Sequence, residues 1–410
     1  MMRMPELLAP AGSLESLEAA VRFGADAVYG GMKRYGLRAF AGNFDEAQLR
    51  EAVALCHRAG RRFYLTLNIF PFDDQLEGLA DAARAAYEIG VDAAIVSDLG
   101  AIVTLRERVP GLPLHVSTQA SACNSAAVRH YASLGCRRVI LAREVSLERV
   151  AAMRQAIPED MELECFVHGA SCVAWSGRCL LSAELAGRSG NQGACAQPCR
   201  WQYHVVEEKR PGEYLPVCED EHGTYIFSAR DLCLLPLLPD LARAGVASLK
   251  IEGRMKTAYY VATVTGAYRR ALDLLAQGEE HFRAALPELE RELRCASHRE
   301  SDTGFMLGMP EHPAGAEGFH QEREAVAQVL ERLPDGTCRL VLKNRFFAGD
   351  ALELLSPAGV VPFTAAPFTR EDTGELLETY GVGGAVIRMP LPEGADRGDW
   401  VRGPVRNHRA

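Results

Sequence analysis

Eight times in its first ~280 residues the chain passes from a short apolar run to a helix-like stretch, a repetition that few architectures accept. The runs are ELLAPAG from Glu6, DAVYGG from Asp26, RFYLTLN from Arg62, AAIVSD from Ala93, PLHVSTQ from Pro113, RRVILARE from Arg137, MELECFVHG from Met161 and SLKIEGR from Ser248. Most of the stretches between them end on glycine. SLESLEAAVRFG reads as a helix opened by a Ser13 capping box and closed by Gly24, and FDEAQLREAVALCHRAG closes on Gly60. Strands apolar nearly throughout are covered on both faces. Parallel strand–helix units of this number and size predict an α/β chain forming a (β/α)8 TIM-like barrel, with a doubly wound open sheet as the alternative. No G-x-G-x-x-G follows any of the runs, which speaks against dinucleotide binding.

Beyond the helix expected near Leu286 to Arg294 the period changes. EAVAQVLERL, TCRLVLKN, DALELLSP, GVVPF, GAVIRMPL and DWVRGPV are β-type runs separated by PDG, AGD and PAG turns, the pattern of a small antiparallel barrel or sandwich. The expected division is a barrel domain over 1–300 with a cysteine-rich insertion at 170–235, a linker over 301–318, and a C-terminal β-barrel domain over 319–410. No run of about 18 apolar residues exists, so no membrane span is expected. A formal charge of -9 excludes a generally basic nucleic-acid binder but not a local basic patch.

Five of the 12 cysteines lie between Glu164 and Arg200. Cys165 sits in an apolar run and reads as a strand residue. Cys172, Cys179, Cys195 and Cys199 sit among Gly, Ser, Ala, Arg and Asn, which is loop chemistry, and Cys233 follows in SARDLC at the start of another segment, read as a helix opening. Thiolates on irregular backbone can converge on one metal centre. Four readings compete: disulfides, structural zinc, an iron–sulfur cluster and unrelated thiols. No export signal is visible after MMRMPELLAPAG, which points to a reducing cytoplasm and away from disulfides. Zinc loops usually pair short knuckles, and only Cys195 and Cys199 are so spaced. A cluster tolerates uneven spacing.

In a barrel the chemistry sits at the C-terminal ends of the strands. Those ends carry Asn68, Asp98, Gln119, Arg143, Glu144, His168, Glu252 and Arg254. His168 and Glu252 are the candidate catalytic residues; Arg143, Arg254, Asn68 and Gln119 are the candidate substrate-binding residues. Arg143 and Arg254 can clamp a carboxylate or phosphate through a planar fork. The bland reading is that several of these are helix caps or ion pairs. H-E-x-x-H and G-x-S-x-G are both missing.

ELLAPAGSLESLEAAVRFGADAVYGG, ECFVHGASCVAWSGRCLLS, RSGNQGACAQPCRW, RPGEYLPVCEDEHGTYIFSARDLC and SLKIEGRMKTAYYV closely resemble the peptidase U32 (collagenase-like) family, and KNRFFAGDALELLSP resembles its C-terminal domain. The likeness covers nearly the whole chain. Within the family the sequence is most similar to the branch that converts the tRNA wobble uridine to 5-hydroxyuridine using prephenate. Sister branches hydroxylate rRNA or the ubiquinone ring, and the family name implies a peptidase alternative. The resemblance implies a four-iron four-sulfur (4Fe-4S) cluster held by Cys172, Cys179 and Cys195, with Cys199 or Cys233 as fourth ligand. It also implies prephenate as co-substrate, held by Arg143 and Arg254 beside a His168 able to exchange a proton near neutral pH. A tRNA partner would meet Arg188, Arg200, Arg254, Lys256, Arg269, Arg270, Lys343 and Arg345 through its phosphates, and Tyr35 and Trp201 through an extruded base. Assembly with a second copy or a related subunit is a further expectation.

Overall fold

The computed structural model describes residues 4–37, 42–172, 174–200, 218–220, 223–225, 230–308 and 319–406. The expected alternation is present: β1 (Glu6–Pro10), α1 (Leu14–Arg22), β2 (Ala27–Gly31), α2 (Glu46–Arg58), β3 (Arg62–Leu67), α3 (Asp73–Ile89), β4 (Ala93–Val96), α4 (Leu99–Arg108), β5 (Leu114–Val116), α5 (Ser125–Ser133), β6 (Arg138–Ile140), α6 (Leu147–Gln155) and β7 (Glu162–Gly169). The insertion follows, with α7 (Leu181–Ala186), a hairpin of β8 (Cys218–Asp220) and β9 (Gly223–Tyr225), and β10 (Asp231–Cys233). Then come α8 (Leu238–Arg243), β11 (Ser248–Ile251), α9 (Ala258–Gln277), α10 (Glu279–Arg294) and β12 (Ser301–Asp302). Strands β1 to β7 pair in parallel in sequence order, and β11 pairs in parallel with both β1 and β7, so eight strands close into a barrel. The barrel, not the open sheet, is the fold.

The helices start and stop for local reasons. Asp45 caps α2 in a complete box: its side chain accepts from Gln48 N, and the Gln48 side chain accepts from Asp45 N. The box expected at Ser13 is only half formed. Ser13 Oγ accepts from Ser16 N, but the third helical position is Ser16, whose hydroxyl meets Ser13 Oγ at 3.2 Å and not the cap backbone N–H. The outward faces of the strands and the inward faces of the helices form one continuous apolar core, from Leu7 and Val28 to Tyr268 and Leu272. Each fully buried aliphatic or aromatic side chain contributes roughly 1.5–3 kcal/mol.

The lumen departs from the expectation of apolar strands. Glu6 on β1 and Arg138 on β6 are not sheet neighbours, yet Arg138 Nη1 donates to Glu6 Oε1 at 2.6 Å, a contact made across the lumen. The same nitrogen donates to Glu164 Oε2 at 3.0 Å, and Lys250 Nζ donates to Glu164 Oε1 at 3.0 Å. Tyr64, Ser248 and Arg62 complete the shell around Glu6. Burial raises the Glu6 carboxyl, but Arg138 and Arg62 more than offset this and hold it below the usual carboxylate range. The charges occupy alternate positions in the strands, so they share the inward face while their apolar neighbours point to the helices.

The tail forms a separate antiparallel sheet from β13 (Arg323–Arg332), β14 (Thr337–Leu342), β16 (Ala351–Ser356), β17 (Gly359–Thr364), β18 (Phe368–Arg370), β19 (Leu376–Leu377), β21 (Val386–Pro390) and β22 (Trp400–Pro404). A two-stranded sheet of β15 (Phe346–Phe347) and β20 (Thr379–Tyr380) accompanies it. The sheet has its own core around Val326, Leu340 and Ile387. It docks on the helix layer. Arg402 makes a fork to Glu292 on α10 at 2.6 and 2.8 Å, Arg22 on α1 pairs with Asp399, and Trp400 packs on Tyr259 of α9.

Candidate active site at the barrel mouth

The insertion after β7 folds back over the C-terminal ends of the strands. Ser176 donates its N–H and its hydroxyl to the two oxygens of Glu144, each at 2.7 Å. Arg178 Nε donates to the Gln119 carbonyl at 2.8 Å, and Phe70 N donates to the Asn191 carbonyl at 3.3 Å. The Gln192 side chain donates to the Phe70 carbonyl. Gly193 lies so close to Gly36 that a Cβ there would stand 2.6 Å from the Gly36 oxygen. Loops following β2, β3, β5 and β6 therefore each hold the insertion. At the mouth itself β7 and β11 end in contact: a Cβ on Gly169, whose φ is +100°, would meet the Glu252 carbonyl at 2.5 Å.

The described cysteines are free thiols. Cys172 and Cys195 are exposed; Cys179, Cys199 and Cys233 are half-buried. Among the described residues no three His, Cys, Asp or Glu side chains are gathered into a metal cage. In chemistry and local geometry the thiols suit a cluster nonetheless. Leu181 N points at Cys179 Sγ and Gln197 N at Cys195 Sγ, both at 3.4 Å, and Leu235 N hydrogen-bonds Cys233. In each case the donor lies two residues after the sulfur, which aims an N–H dipole at a place where thiolate charge would sit, the kind of contact that tunes cluster sulfurs. Gly190 lies against Cys195 and the Cys179 carbonyl, since a Cβ there would be 3.8 Å from Cys195 Sγ and 3.9 Å from Cys179 O. Cys165, read as a strand residue, is buried in β7, and burial pushes its thiol up to about 12.

Cys233 lies in β10, antiparallel to β7 and directly opposite His168, and the helical segment opens two residues after it, as a 3-10 turn over Leu235–Leu237 that runs into α8. Burial, not a helix end, dominates its environment and pushes the thiol up. His168 sits 5.5 Å from the Tyr268 ring and 6.2 Å from Tyr260, both on α9, so it faces the helix layer. Burial pulls its imidazole down to about 4, and its Nδ1 has no hydrogen-bond partner among the described residues. It is neutral at pH 7, contrary to the expectation of titration near neutrality.

Glu252 follows β11. One of its oxygens accepts from Gly253 N at 3.2 Å and the other lies 3.5 Å from Arg143 Nη2. Arg143 lies three residues past the last residue of β6, stacks on the Phe166 ring at 4.1 Å and donates to the Ala170 carbonyl at 2.7 Å. Arg254 is buried, donating to Thr66 Oγ1 at 2.9 Å and Asn43 Oδ1 at 2.5 Å. Gly31 makes room for it: a Cβ there would lie 2.3 Å from Arg254 Nη2. The two guanidinium groups thus engage different walls of the mouth. Asn68 accepts from Leu37 N, and Asp98 caps α4. Gln119 lies in a one-turn helix over Thr118–Ala120, its Oε1 buried and without a partner.

Of the cations expected to meet phosphate, Arg269 pairs with Asp26 and Asp273, Arg270 with Glu288 and Lys343 with Glu15. The first two ride on α9, in the outer helix ring, not at the mouth. Lys256 donates to the Ser297 carbonyl and Arg188 to that of Ala194. Tyr35 is half-buried against Gly78. Trp201 and the side chain of Arg200 lie outside the described residues. The sequence reading missed Arg178, Asn191 and Trp175. Their signal was a Trp and an Arg three residues apart in a polar loop, outweighed by the cysteines around them.

The family model described as peptidase family U32 matches residues 12–315. The chain is 36% identical over 432 residues to "tRNA hydroxylation protein P" of Escherichia coli, covering 95% of this chain and 94% of that protein. It is 30% identical to "Collagenase" of Porphyromonas gingivalis, over 98% of this chain and 94% of the relative. To a 23S rRNA 5-hydroxycytidine synthase of Escherichia coli it is 36% identical over 272 residues, which covers 66% of this chain and 40% of that one.

Proposed function

The chain belongs to peptidase family U32, and on that premise we propose that it is an RNA-modifying enzyme that hydroxylates the wobble uridine of tRNA to 5-hydroxyuridine, with a 4Fe-4S cluster and prephenate as co-substrate. The observation that carries the reading is the near end-to-end likeness to a relative named for tRNA hydroxylation. The insertion supports it, with an N–H two residues on directed at three separate thiols. Cys172, Cys179 and Cys195 would hold the cluster with Cys233 or Cys199. When bound, such a cluster supplies one-electron chemistry at the mouth. Arg143 offers a guanidinium to a carboxylate, and Phe166 beneath it fixes the plane of the fork. Glu252, within reach of Arg143, orients that fork and can accept a proton beside the bound anion.

Peptide hydrolysis fits this mouth less well. A Cys–His peptidase needs a thiolate beside an imidazolium. Cys233 and His168 do lie opposite one another, but burial raises the thiol and lowers the imidazole, so both are held neutral. The test combines anaerobic purification with mass spectrometry of tRNA. A brown protein containing iron and sulfide is expected, and 5-hydroxyuridine should disappear from tRNA when the gene is deleted. Cys179→Ser and Cys195→Ser should each bleach the cluster. Intact 5-hydroxyuridine in the deletion strain would refute the tRNA assignment, and loss of an rRNA hydroxylation instead would move the chain to the sister reaction.

A further inference from the structure

We propose that the seam between the cysteine insertion and the loops after β3 and β5 is a binding site for an unpaired nucleotide, with Trp175 stacking on the base and Arg178 holding its phosphate. The inference rests on the RNA reading above and gives it a surface. Three independent features meet at this seam.

The first is a strained turn. Ser176 has φ +43°, the left-handed region, where a residue with a side chain costs about 1 kcal/mol or more. Two hydrogen bonds to Glu144 hold it there. The consequence is outward presentation of its neighbours: Trp175 is 56% exposed, where an indole of this size is ordinarily packed away.

The second is the cation. The Arg178 guanidinium lies 5.0 Å over the Phe70 ring and spends only its Nε on the protein, at the Gln119 carbonyl. Among the described residues its two Nη groups make no hydrogen bond and no ion pair. A guanidinium held over an aromatic ring with both Nη groups available is prepared for a phosphate, and an exposed indole on the same turn for a base. On a chain of net charge -9, such a local pairing of stack and cation is how an RNA would be gripped, since the overall field repels it.

The third is a set of orphaned amides. Gln119 Oε1 and Asn191 Oδ1 are buried and have no hydrogen-bond partner among the described residues. Gln119 is the residue Arg178 binds, and Asn191 is the residue that accepts from Phe70 N, so both flank the same guanidinium–ring pair. A buried amide oxygen without a donor is destabilising, and a turn of either side chain toward the seam would present it to the N–H donors on the edge of an unpaired base. A duplex, with its bases stacked on one another, offers Trp175 no free face.

The experiment uses the full chain, purified anaerobically, and a fluorescent anticodon stem-loop RNA with an unmodified wobble uridine, with blunt duplex RNA as the second probe. Trp175→Ala and Arg178→Ala should each weaken stem-loop binding roughly tenfold. Trp175→Phe should retain most of it, and in the two Trp175 variants duplex binding, melting temperature and iron content should not move. Unchanged stem-loop affinity in both alanine variants, with wild type still binding and modifying tRNA, overturns this site and leaves the tRNA reading standing. Dissociation of an oligomer in those variants with RNA affinity intact makes the face a protein contact and also overturns it. Wild type that neither binds nor modifies tRNA removes the RNA reading itself.

Discussion

The two ends of the barrel treat polar side chains in opposite ways. At the N-terminal end Glu6, Arg138, Glu164 and Lys250 are buried in the lumen and bonded to one another, and Tyr64 and Ser248 take up remaining acceptors on Glu6. Among the described residues of that layer only the His115 Nδ1 lacks a partner, and burial followed by the field of Arg138 keeps its ring neutral. At the C-terminal end His168 Nδ1, Gln119 Oε1 and Asn191 Oδ1 are buried without partners among the described residues, and Arg178 keeps both Nη groups unspent there. Polar groups that answer each other define register and shape. Polar groups left unanswered inside a fold cost free energy, and a site that binds a ligand is where that cost is recovered.

The sharpest way to break this contrast is Arg138→Met. It strands Glu6 and Glu164 as buried carboxylates and should destabilise the fold by about 3–5 kcal/mol, read by urea denaturation. A loss under about 1 kcal/mol would mean that the lower network is not structural.

A pH titration probes the opposite face of β7. His168 is held at about 4 in the folded chain against 6.5 for the free group. The unfolded chain therefore takes up a proton at a higher pH than the folded one. Stability is complete above 6.5 and falls as the pH drops from there toward about 4, by about 3 kcal/mol in all. Urea midpoints on either side of that window should differ in wild type and much less in His168→Gln. Equal slopes in the two proteins would place the acid sensitivity elsewhere, for example on Glu6, whose lowered carboxyl withdraws its contribution only below 4.5.

The smallest expected effect tests the mouth. Arg143→Lys keeps the charge but loses the fork, so prephenate binding should weaken by about 1–3 kcal/mol with iron content unchanged. Calorimetry showing wild-type affinity would put the anion site away from Arg143.

The barrel was legible because its signal is local and repeated. Each strand is a short apolar run and most helices carry a cap or a closing glycine, so errors stayed small. Ser13 is an example: a serine at the third helical position leaves the capping box half made, yet the helix starts where expected. The lumen was harder to read. Glu6, Glu164 and Lys250 each look like a lone charge in an apolar strand, and only closure of β11 onto β1 and β7 brings them together. The helix after Cys233 was legible, but the strand it ends was not, because three residues, Asp231–Cys233, exist as a strand only as the antiparallel partner of β7 and have no pattern of their own.

The sequence by itself determined the class of fold, the change of period in the tail, the family resemblance and the set of thiols. These depend on residue type and short-range spacing, which the chain carries at every point along its length. Tertiary structure alone decided which way His168 faces, that Arg254 is buried against Asn43 and Thr66, that the insertion closes over the mouth, and that Arg178, Phe70, Gln119 and Asn191 share one seam. Each of those facts joins residues tens to hundreds of positions apart, and hydrogen bonds and ring contacts act only over a few ångströms, a distance that spacing along a chain does not encode.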